Sequence, residues 1–514
     1  MAGAATDRQV RVLKVIPALF LFLTSLATSQ VTLSRFLGDH MVIQRDQPIA
    51  LWGEAPPRAR LVIRMGETQV STEADPAGSW SAELPPQPAT GKPFSITIQS
   101  GVQTLELQDL LMGDVWICAG QSNMDFPLSR DQDRDKALSE TPGDNLRLFH
   151  TRYAGSSAGR NWDAATLAQL QPESFLQGEW TRCTPEAMAR FSAVGYYFGH
   201  ALHGELGVPI GLMDLAAGGT PTEAWISRSA LAGNPKTRSL VEEGNWLKNP
   251  ELEVWCQTRA GQNLGQSQAK EFEIPGDARG PNHPFKPGFM ALTALKPLAR
   301  TSVCGVLWYQ GESNAESSAR VTQHADLFPL LIQDMRDNFR QPDMPFLFVQ
   351  LPAMGRPHWP LFREQQRIFS QQLPHVAMAV TIDVGHPTDV HPRQKRPVGL
   401  RLARLALHLT KPEGTAPTGP TIERFAKTKE GLRLWFANTA QQLATRDQAP
   451  PRGFEIIESD GTVHAVQARM EGATVLLLFP SSLNPVEVRY AWAPVPDCNL
   501  TDARGLPASP FWAR

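Results

Sequence analysis

Four short segments of the chain carry residues whose types and spacing could perform acyl-transfer chemistry. Each segment contains glycine or proline together with polar residues such as serine, threonine, asparagine, aspartate, glutamate or histidine, and each follows a short apolar run. The segments are 120–124 (GQSNM), 217–225 (AGGTPTEAW), 308–314 (WYQGESN) and 381–392 (TIDVGHPTDVHP). Small and polar residues directly after a strand are typical of ligand-binding turns in α/β proteins.

The four segments together contain the parts of a serine hydrolase. Ser122 could attack a carbonyl carbon, and a histidine of the last segment, His386 or His391, could take its proton while an aspartate of the same loop orients the ring. Backbone N–H groups at Gly218 and Gly219 could approach a ligand closely. Taken singly, each segment also has an ordinary interpretation: a helix-capping serine or asparagine, a plain turn, or a surface histidine.

Strands and helices that alternate along the chain would position these segments. Apolar strand-like runs at 115–119, 208–215, 303–309, 346–351 and 376–383 are separated by helical periodicity at 186–206, 327–339 and 359–372, and a helix at 396–410 follows. This alternation predicts an α/β fold with a parallel sheet and helices on both faces. The carboxyl ends of parallel strands lie at one edge, so the four segments should converge there.

The flanking regions have a different pattern. Short alternating runs separated by turn clusters predict an N-terminal β-sandwich domain over residues 30–107 and a C-terminal β domain over 411–514. The α/β domain would then occupy residues 108–410. Within it, residues 232–285 have little periodicity and much Gly, Asn and Gln, which favours a long loop insertion.

The first 29 residues have the pattern of an export signal. Basic residues precede the apolar run 15–27, and small residues follow at 27–29. The apolar run is shorter than the about 20 residues that a membrane span needs. We therefore predict a cleaved signal peptide over residues 1–29, no membrane span after cleavage, and a secreted or periplasmic protein.

Composition excludes several classes of protein. The 514-residue chain is 42% hydrophobic and 19% charged with a formal charge of −2, which argues against disorder and against nucleic acid as a partner. The five cysteines show no metal-ligand spacing. Cys118 and Cys304 lie in apolar runs, where a free cysteine is an ordinary core residue.

In their order and strand context, the four segments resemble the SGNH-hydrolase superfamily. The longer strings are similar to one branch, the sialate O-acetylesterase family of carbohydrate esterases, and so is the segment 39–48 (DHMVIQRDQP). The resemblance runs from about residue 32 to 410. It implies an SGNH-type three-layer α/β/α core with flanking β domains.

The resemblance also implies roles for residues. Ser122 would be the nucleophile, His391 the general base and Asp389 its orienter, although Asp383 or Glu312 could orient the ring instead. The oxyanion donors would be the Ser122 backbone, Gly219 or Gly218, and the Asn314 side chain. We expect the substrate to be bound by residues in or beside the motifs, namely Gln121, Trp225, Gln310, Glu312 and Trp359. The tryptophans, with Trp308, could equally be packing residues.

The predicted activity is removal of O-acetyl groups from carbohydrates through an acyl-enzyme, with no metal or organic cofactor. An acetylated carbohydrate is the expected partner, and the sequence leaves open sialic acid, xylan, xyloglucan or another polymer. Alternatives are a non-catalytic carbohydrate-binding envelope protein, a structural envelope protein, and a lipase or phospholipase of the same superfamily.

Overall fold

The computed structural model describes residues 1, 30–140, 143–155, 161–242, 244–265, 274–410 and 417–514. Apart from residue 1, the predicted signal peptide lies outside the described residues.

The N-terminal region consists of strands that surround an apolar core. Its strands are β1 (Thr32–Leu33), β2 (Val42–Gln44), β3 (Ile49–Glu54), β4 (Arg60–Met65), β5 (Thr68–Glu73), β6 (Ser79–Leu84), β7 (Thr90–Ser100) and β8 (Gln103–Gly120). One sheet has the order β1-β3-β6, while β4 pairs with β5 and β7, and β7 pairs with β8. Alternate residues such as Leu61 and Ile63 are fully buried, as expected for strands that bury one face.

The long strand β8 joins this region to the central sheet without a break. Its first half pairs antiparallel with β7, and its second half, from Asp114 onward, pairs in parallel with later strands. Burial alternates at first and becomes continuous from Leu110. The sequence pattern therefore changes near residue 107 because β8 changes its partner strands there. The same strand continues through both ladders.

The central sheet is almost entirely parallel. The next strands along the chain are β9 (Leu146–Tyr153), β10 (Leu176–Arg182), β11 (Ile210–Asp214), β12 (Gly276–Asp277), β13 (Gly280–Pro281), β14 (Gly305–Tyr309), β15 (Phe346–Val349) and β16 (Val376–Ala379). Of these, β12 and β13 form a separate hairpin. The order is β10-β9-β11-β8-β14-β15-β16, and only β10 runs antiparallel to its neighbour. The predicted α/β class with a parallel sheet is confirmed.

Helices cover both faces of this sheet. They are α1 (Arg134–Ser139), α2 (Ala164–Ala168), α3 (Pro185–Arg190), α4 (Ala193–Leu206), α5 (Arg228–Gly233), α6 (Val254–Leu264), α7 (Ser318–Phe339), α8 (Trp359–Gln372) and α9 (Arg396–Thr410). α4 and α9 share a core with Trp116 and Leu307, whereas Phe328 of α7 packs against Phe346 and Phe348 on the other face. No helix in the described ranges has the length and apolarity needed to cross a membrane.

Two local expectations differ from the structure. The helix predicted at 186–206 is interrupted, because the Ser192 hydroxyl accepts a hydrogen bond from the Gly195 N–H (3.0 Å) and starts a new helix, α4. The segment 232–285, predicted to be a loop, contains α6 and the β12–β13 hairpin. The helix α6 was not predicted because polar residues occupy much of it and it lies in a stretch rich in Gly, Asn and Gln.

The C-terminal region is made of antiparallel strands. They are β17 (Thr421–Lys427), β18 (Leu432–Ala437), β19 (Leu443–Thr445), β20 (Phe454–Glu458), β21 (Val463–Ala465), β22 (Gln467–Glu471), β23 (Thr474–Leu478), β24 (Pro485–Tyr490), β25 (Leu500–Asp502) and β26 (Phe511–Ala513). The fully buried Arg363 of α8 donates to the backbone oxygen of Ala493 (2.6 Å) and so ties this region to the α/β core. All five cysteines are unpaired, in agreement with the expectation for Cys118 and Cys304.

Candidate active site

Ser122 lies in a tight turn directly after β8. Gly120 ends the strand with φ +122°, and a Cβ at this position would lie 2.3 Å from the Tyr309 backbone oxygen. Only glycine permits this close approach of β8 to β14. The Met124 N–H donates to the Gln121 oxygen (2.8 Å) and closes the turn, so Ser122 is held on a strand-to-turn transition at the sheet edge.

His391 contacts Ser122 directly. The loop after β16 brings His391 Nε2 to 2.7 Å from Ser122 Oγ. Burial lowers the pKa of His391, and the charge of Lys395 lowers it further, whereas Asp389 acts in the opposite direction. A neutral imidazole can accept the hydroxyl proton, which is the arrangement that general-base catalysis requires.

Asp389 contacts His391 through the backbone. Its Oδ1 accepts a hydrogen bond from the His391 backbone N–H (2.8 Å), and its own N–H donates to His386 Nδ1 (2.9 Å). Within the described part of the chain, no side chain makes a hydrogen bond to His391 Nδ1. Asp389 therefore shapes the loop and places a negative charge beside the ring.

The two other carboxylates considered as orienters have different partners. Asp383 forms a bidentate pair with Arg401, with both N–O distances at 2.7 Å. Glu312 accepts a hydrogen bond from Asn123, and burial raises its pKa. Neither carboxylate bonds to the His391 ring.

The backbone N–H groups of Ser122 and Gly219 are available to a ligand at the site. Neither Ser122 nor Gly219 donates a backbone hydrogen bond to any described residue. Gly219 has φ +78°, and its backbone oxygen accepts from the Ser313 hydroxyl (3.0 Å). The Ala217 N–H donates to the Gly120 oxygen (3.1 Å) and holds the two turns together. Unpaired N–H groups next to a nucleophile are the elements of an oxyanion hole.

Asn314 is enclosed in this structure. The side chain is fully buried, its Nδ2 donates to Glu223 Oε2 (3.0 Å), and its Oδ1 accepts from the Thr222 N–H (2.9 Å). The amide carries a second N–H, so the role of Asn314 as an oxyanion donor stays a prediction. Gln310 donates to Asn314 Oδ1 (2.6 Å) and is enclosed in the same way, which argues against direct contact with the substrate.

The tryptophans proposed to bind a sugar are core residues. Trp225 and Trp359 have no exposed surface and Trp308 has 1%. Trp225 donates to the Thr220 hydroxyl (2.9 Å) and packs edge-on against Trp308. The prediction of substrate contact is therefore wrong for Trp225 and Trp359, because packing encloses them. Gln121 and Glu312 lie at the site with slight exposure, and their contact with substrate stays a prediction.

A buried polar network behind the catalytic pair was not anticipated from the sequence. Asn123 Nδ2 donates to Glu312 and to the Val390 oxygen (2.9 Å), while Asn123 Oδ1 accepts from Lys395 Nζ. Burial lowers the pKa of Lys395 to about 7. Asn123 thus ties the serine turn to the residue before His391. The sequence signal was that Asn123 lies within the segment 120–124 and that Lys395 follows the segment 381–392 by three positions.

The described residues contain no cluster of three or more His, Cys, Asp or Glu side chains that could hold a metal ion. The chemistry available at this site is that of a hydroxyl, an imidazole and backbone N–H donors.

Replacing Gly219 by alanine should impair turnover more than stability. A Cβ would lie 2.8 Å from Phe285 Cζ at a positive φ, so the turn must shift and move its N–H. Loss of one oxyanion donor lowers kcat by about 10²-fold or more. Initial rates of acetyl-ester hydrolysis and thermal unfolding would be measured on the same preparation.

Gly207→Ala is the matched control for this variant. Gly207 also has a positive φ (+68°), but a Cβ there meets no atom within 4 Å. We expect it to lose about 1 kcal/mol of stability with unchanged kcat. Equal activity of the two variants would show that Gly219 is not an oxyanion donor.

Similarity to known proteins agrees with this site. A family model described as "Carbohydrate esterase, sialic acid-specific acetylesterase" matches residues 289–408. Sialate O-acetylesterase of Mus musculus is 29% identical over 71% of both chains, and that of Rattus norvegicus is 28% identical over 93% of both. The crystal structure of a carbohydrate acetylesterase from Xanthomonas citri has a TM-score of 0.76 and 30% identity, over 94% of this chain and 99% of that one.

The fold, the serine–histidine pair and these similarities define a carboxylic ester hydrolase that removes O-acetyl groups from carbohydrates. The chain belongs to the sialic acid-specific acetylesterase family of carbohydrate esterases.

Proposed function

We propose that the protein is an SGNH-type serine esterase that deacetylates sugars through an acyl-enzyme, with Ser122 as nucleophile and His391 as general base. The observation that carries this proposal is the 2.7 Å contact between Ser122 Oγ and His391 Nε2, next to two unpaired backbone N–H groups.

The first half of the reaction forms an acetyl-enzyme. His391 Nε2 takes the proton of Ser122 as Oγ bonds to the acetyl carbonyl carbon. The oxygen of the tetrahedral intermediate takes the negative charge and accepts hydrogen bonds from the N–H groups of Ser122 and Gly219. When the intermediate collapses, the bond to the sugar oxygen breaks, and the sugar leaves with the proton held by His391.

The second half frees the enzyme. A water gives one proton to His391 and attacks the same carbonyl carbon, and the oxyanion forms against the same two donors. Collapse breaks the bond to Ser122 Oγ, returns the proton to Ser122 and releases acetate. Asp389 supports both halves, because its charge stabilises the imidazolium that each attack creates.

The substrate class is an O-acetylated sugar, and acetylated sialic acid is supported by the relatives named sialate O-acetylesterase. Acetylated hemicellulose is the other candidate. A secreted or periplasmic location is part of this proposal and rests on the sequence pattern of residues 1–29.

Acetate release from O-acetylated sialosides, acetylated xylan and acetylated xyloglucan tests the function, and a fluorophosphonate probe tests the nucleophile. We expect acetate from at least one glycan and covalent labelling at Ser122. Labelling with turnover of long-chain esters alone would indicate a lipase. Neither labelling nor acetate release would indicate a binding or structural protein.

A further inference from the structure

Trp255 is an exposed aromatic residue at the start of α6, in the insertion that the sequence suggested was a loop. The residue is 39% exposed, in contrast to the buried Trp225, Trp308 and Trp359. The preceding residue, Val254, is 67% exposed. Large apolar side chains next to an active-site turn are a feature of ligand-binding surfaces.

The indole lies against the proposed oxyanion turn. A Cβ built on Gly219 would be 3.0 Å from Trp255 Cη2 and 2.8 Å from Phe285 Cζ. The Gly219 oxygen accepts a hydrogen bond from the Ser313 hydroxyl. The Ser313 N–H donates to Oε1 of Gln121 (3.4 Å), and Gln121 directly precedes Ser122. The indole is therefore next to the place where the reacting ester must bind.

The surroundings hold the ring in a defined position. Trp255 stacks on the buried Phe285 at 5.7 Å and 28°, and the Arg259 guanidinium lies 5.6 Å from the indole centroid. The backbone N–H of Trp255 donates to Glu253 Oε1 (3.2 Å), and Glu253 is the residue that caps α6. A rigid aromatic ring loses little conformational entropy when it binds a ligand.

The acetyl group cannot account for this surface. It ends in a single methyl group, whereas the exposed indole presents a much larger apolar area. The part of the substrate able to cover that area is the alcohol, whose pyranose ring carries an apolar C–H face. An indole offers an apolar body for that face and a polar N–H.

We propose that Trp255, backed by Phe285, is the stacking platform for the sugar ring that carries the acetyl group. This proposal rests on the proposed function, since it assigns the alcohol side of that same site. Sialosides and neutral acetylated glycans both present a C–H face, so the platform requires a pyranose ring and not a particular charge.

The test compares Trp255→Ala and Trp255→Phe with the parent enzyme on three acetyl esters. Vinyl acetate has a leaving group too small to reach the indole, whereas an acetylated xylo-oligosaccharide and an O-acetylated sialoside each carry a pyranose ring. For Trp255→Ala we expect kcat/KM on the sugar esters to fall about tenfold, mainly through KM, with vinyl acetate within about twofold of the parent. Trp255→Phe should recover part of the loss. The two sugar arms show whether the platform serves acidic rings, neutral rings or both.

Trp435→Ala is the matched control. Trp435 is half-buried in the C-terminal region and has an arginine, Arg424, stacked 3.5 Å from its ring centroid. It should leave both sugar esters and vinyl acetate unchanged. An equal loss on vinyl acetate and sugar esters for Trp255→Ala would show that Trp255 supports the oxyanion turn, and unchanged sugar-ester kinetics would show no platform. Either result overturns the proposal.

A binding measurement separates the platform from the chemistry. Calorimetric titration of Ser122→Ala with the acetylated oligosaccharide should show a Kd about tenfold lower than that of Ser122→Ala/Trp255→Ala. An unchanged Kd in the double variant would overturn the platform. Failure of the proposed function would instead appear as undiminished acetate release by Ser122→Ala.

Discussion

Replacing Ser122 by alanine is expected to reduce acetate release from acetyl esters by roughly 10⁵-fold or more, to the level left by binding and the oxyanion donors. The reason is that Ser122 Oγ is the oxygen next to the general base, at 2.7 Å from His391 Nε2. Initial rates and fluorophosphonate labelling measure the loss.

The fold should tolerate this change. Among the described residues the Ser122 side chain makes one hydrogen bond, to a half-buried histidine, and such a bond contributes about 1 kcal/mol. Ser129→Ala, at an exposed position seven residues later, is the matched control and should keep full activity. A Ser122→Ala enzyme that still turns over would reject Ser122 as the nucleophile.

Replacing His391 by alanine is expected to lower kcat/KM by about 10⁴-fold or more, because Ser122 loses the base at hydrogen-bond distance from its hydroxyl. The parent enzyme should show an acid limb in kcat/KM at a pH below the ordinary histidine value. The acid limb lies at lower pH because the pKa of His391 is lowered, so the ring stays neutral and able to accept a proton down to a lower pH. A pH–rate profile from pH 4 to 8 measures this limb.

His408→Ala, in the last turn of α9, is the control for the removal of an imidazole and should leave the profile unchanged. If the acid limb of the parent lay above pH 7, or if His391→Ala kept the limb, another group would be the base.

Asp389→Asn separates the charge of Asp389 from its hydrogen bond. Asparagine keeps an oxygen for the His391 backbone N–H but removes the charge that opposes the lowering of the His391 pKa. We expect the acid limb to move to lower pH and kcat to fall by less than the roughly 10⁴-fold typical of a carboxylate bonded to the imidazole ring. An unchanged profile with full activity would leave Asp389 without a role in catalysis.

The sequence was most informative where one residue type at one position decides the chemistry. The strand preceding each motif was recognisable from apolar runs, and parallel strands bring their carboxyl ends to one edge. Ser122 and the histidine-bearing loop could therefore be predicted to lie close together, and the family resemblance singled out His391, 269 positions from Ser122. The structure places the two side chains in contact.

Roles that depend on burial could not be predicted in the same way. Trp225 and Trp255 are the same residue type in polar, glycine-containing surroundings, yet the first is enclosed and the second is 39% exposed. Asn314 follows a strand as a capping or donor residue would, but its side-chain amide is hydrogen-bonded to Glu223 and Thr222. The contacts that decide these outcomes come from segments distant in the chain.

The amino-acid sequence by itself determined the class of fold and the convergence of Ser122, the histidine-bearing loop and the glycine-rich turn at one edge of the sheet, because these depend on residue type and local periodicity. Only the tertiary structure decided which backbone N–H groups have no partner among the described residues, which carboxylate lies near His391, and which tryptophan is exposed. The physical reason is that the exposure of a side chain and its hydrogen-bond partners depend on which distant segments pack against it. The local sequence around a residue does not specify those segments.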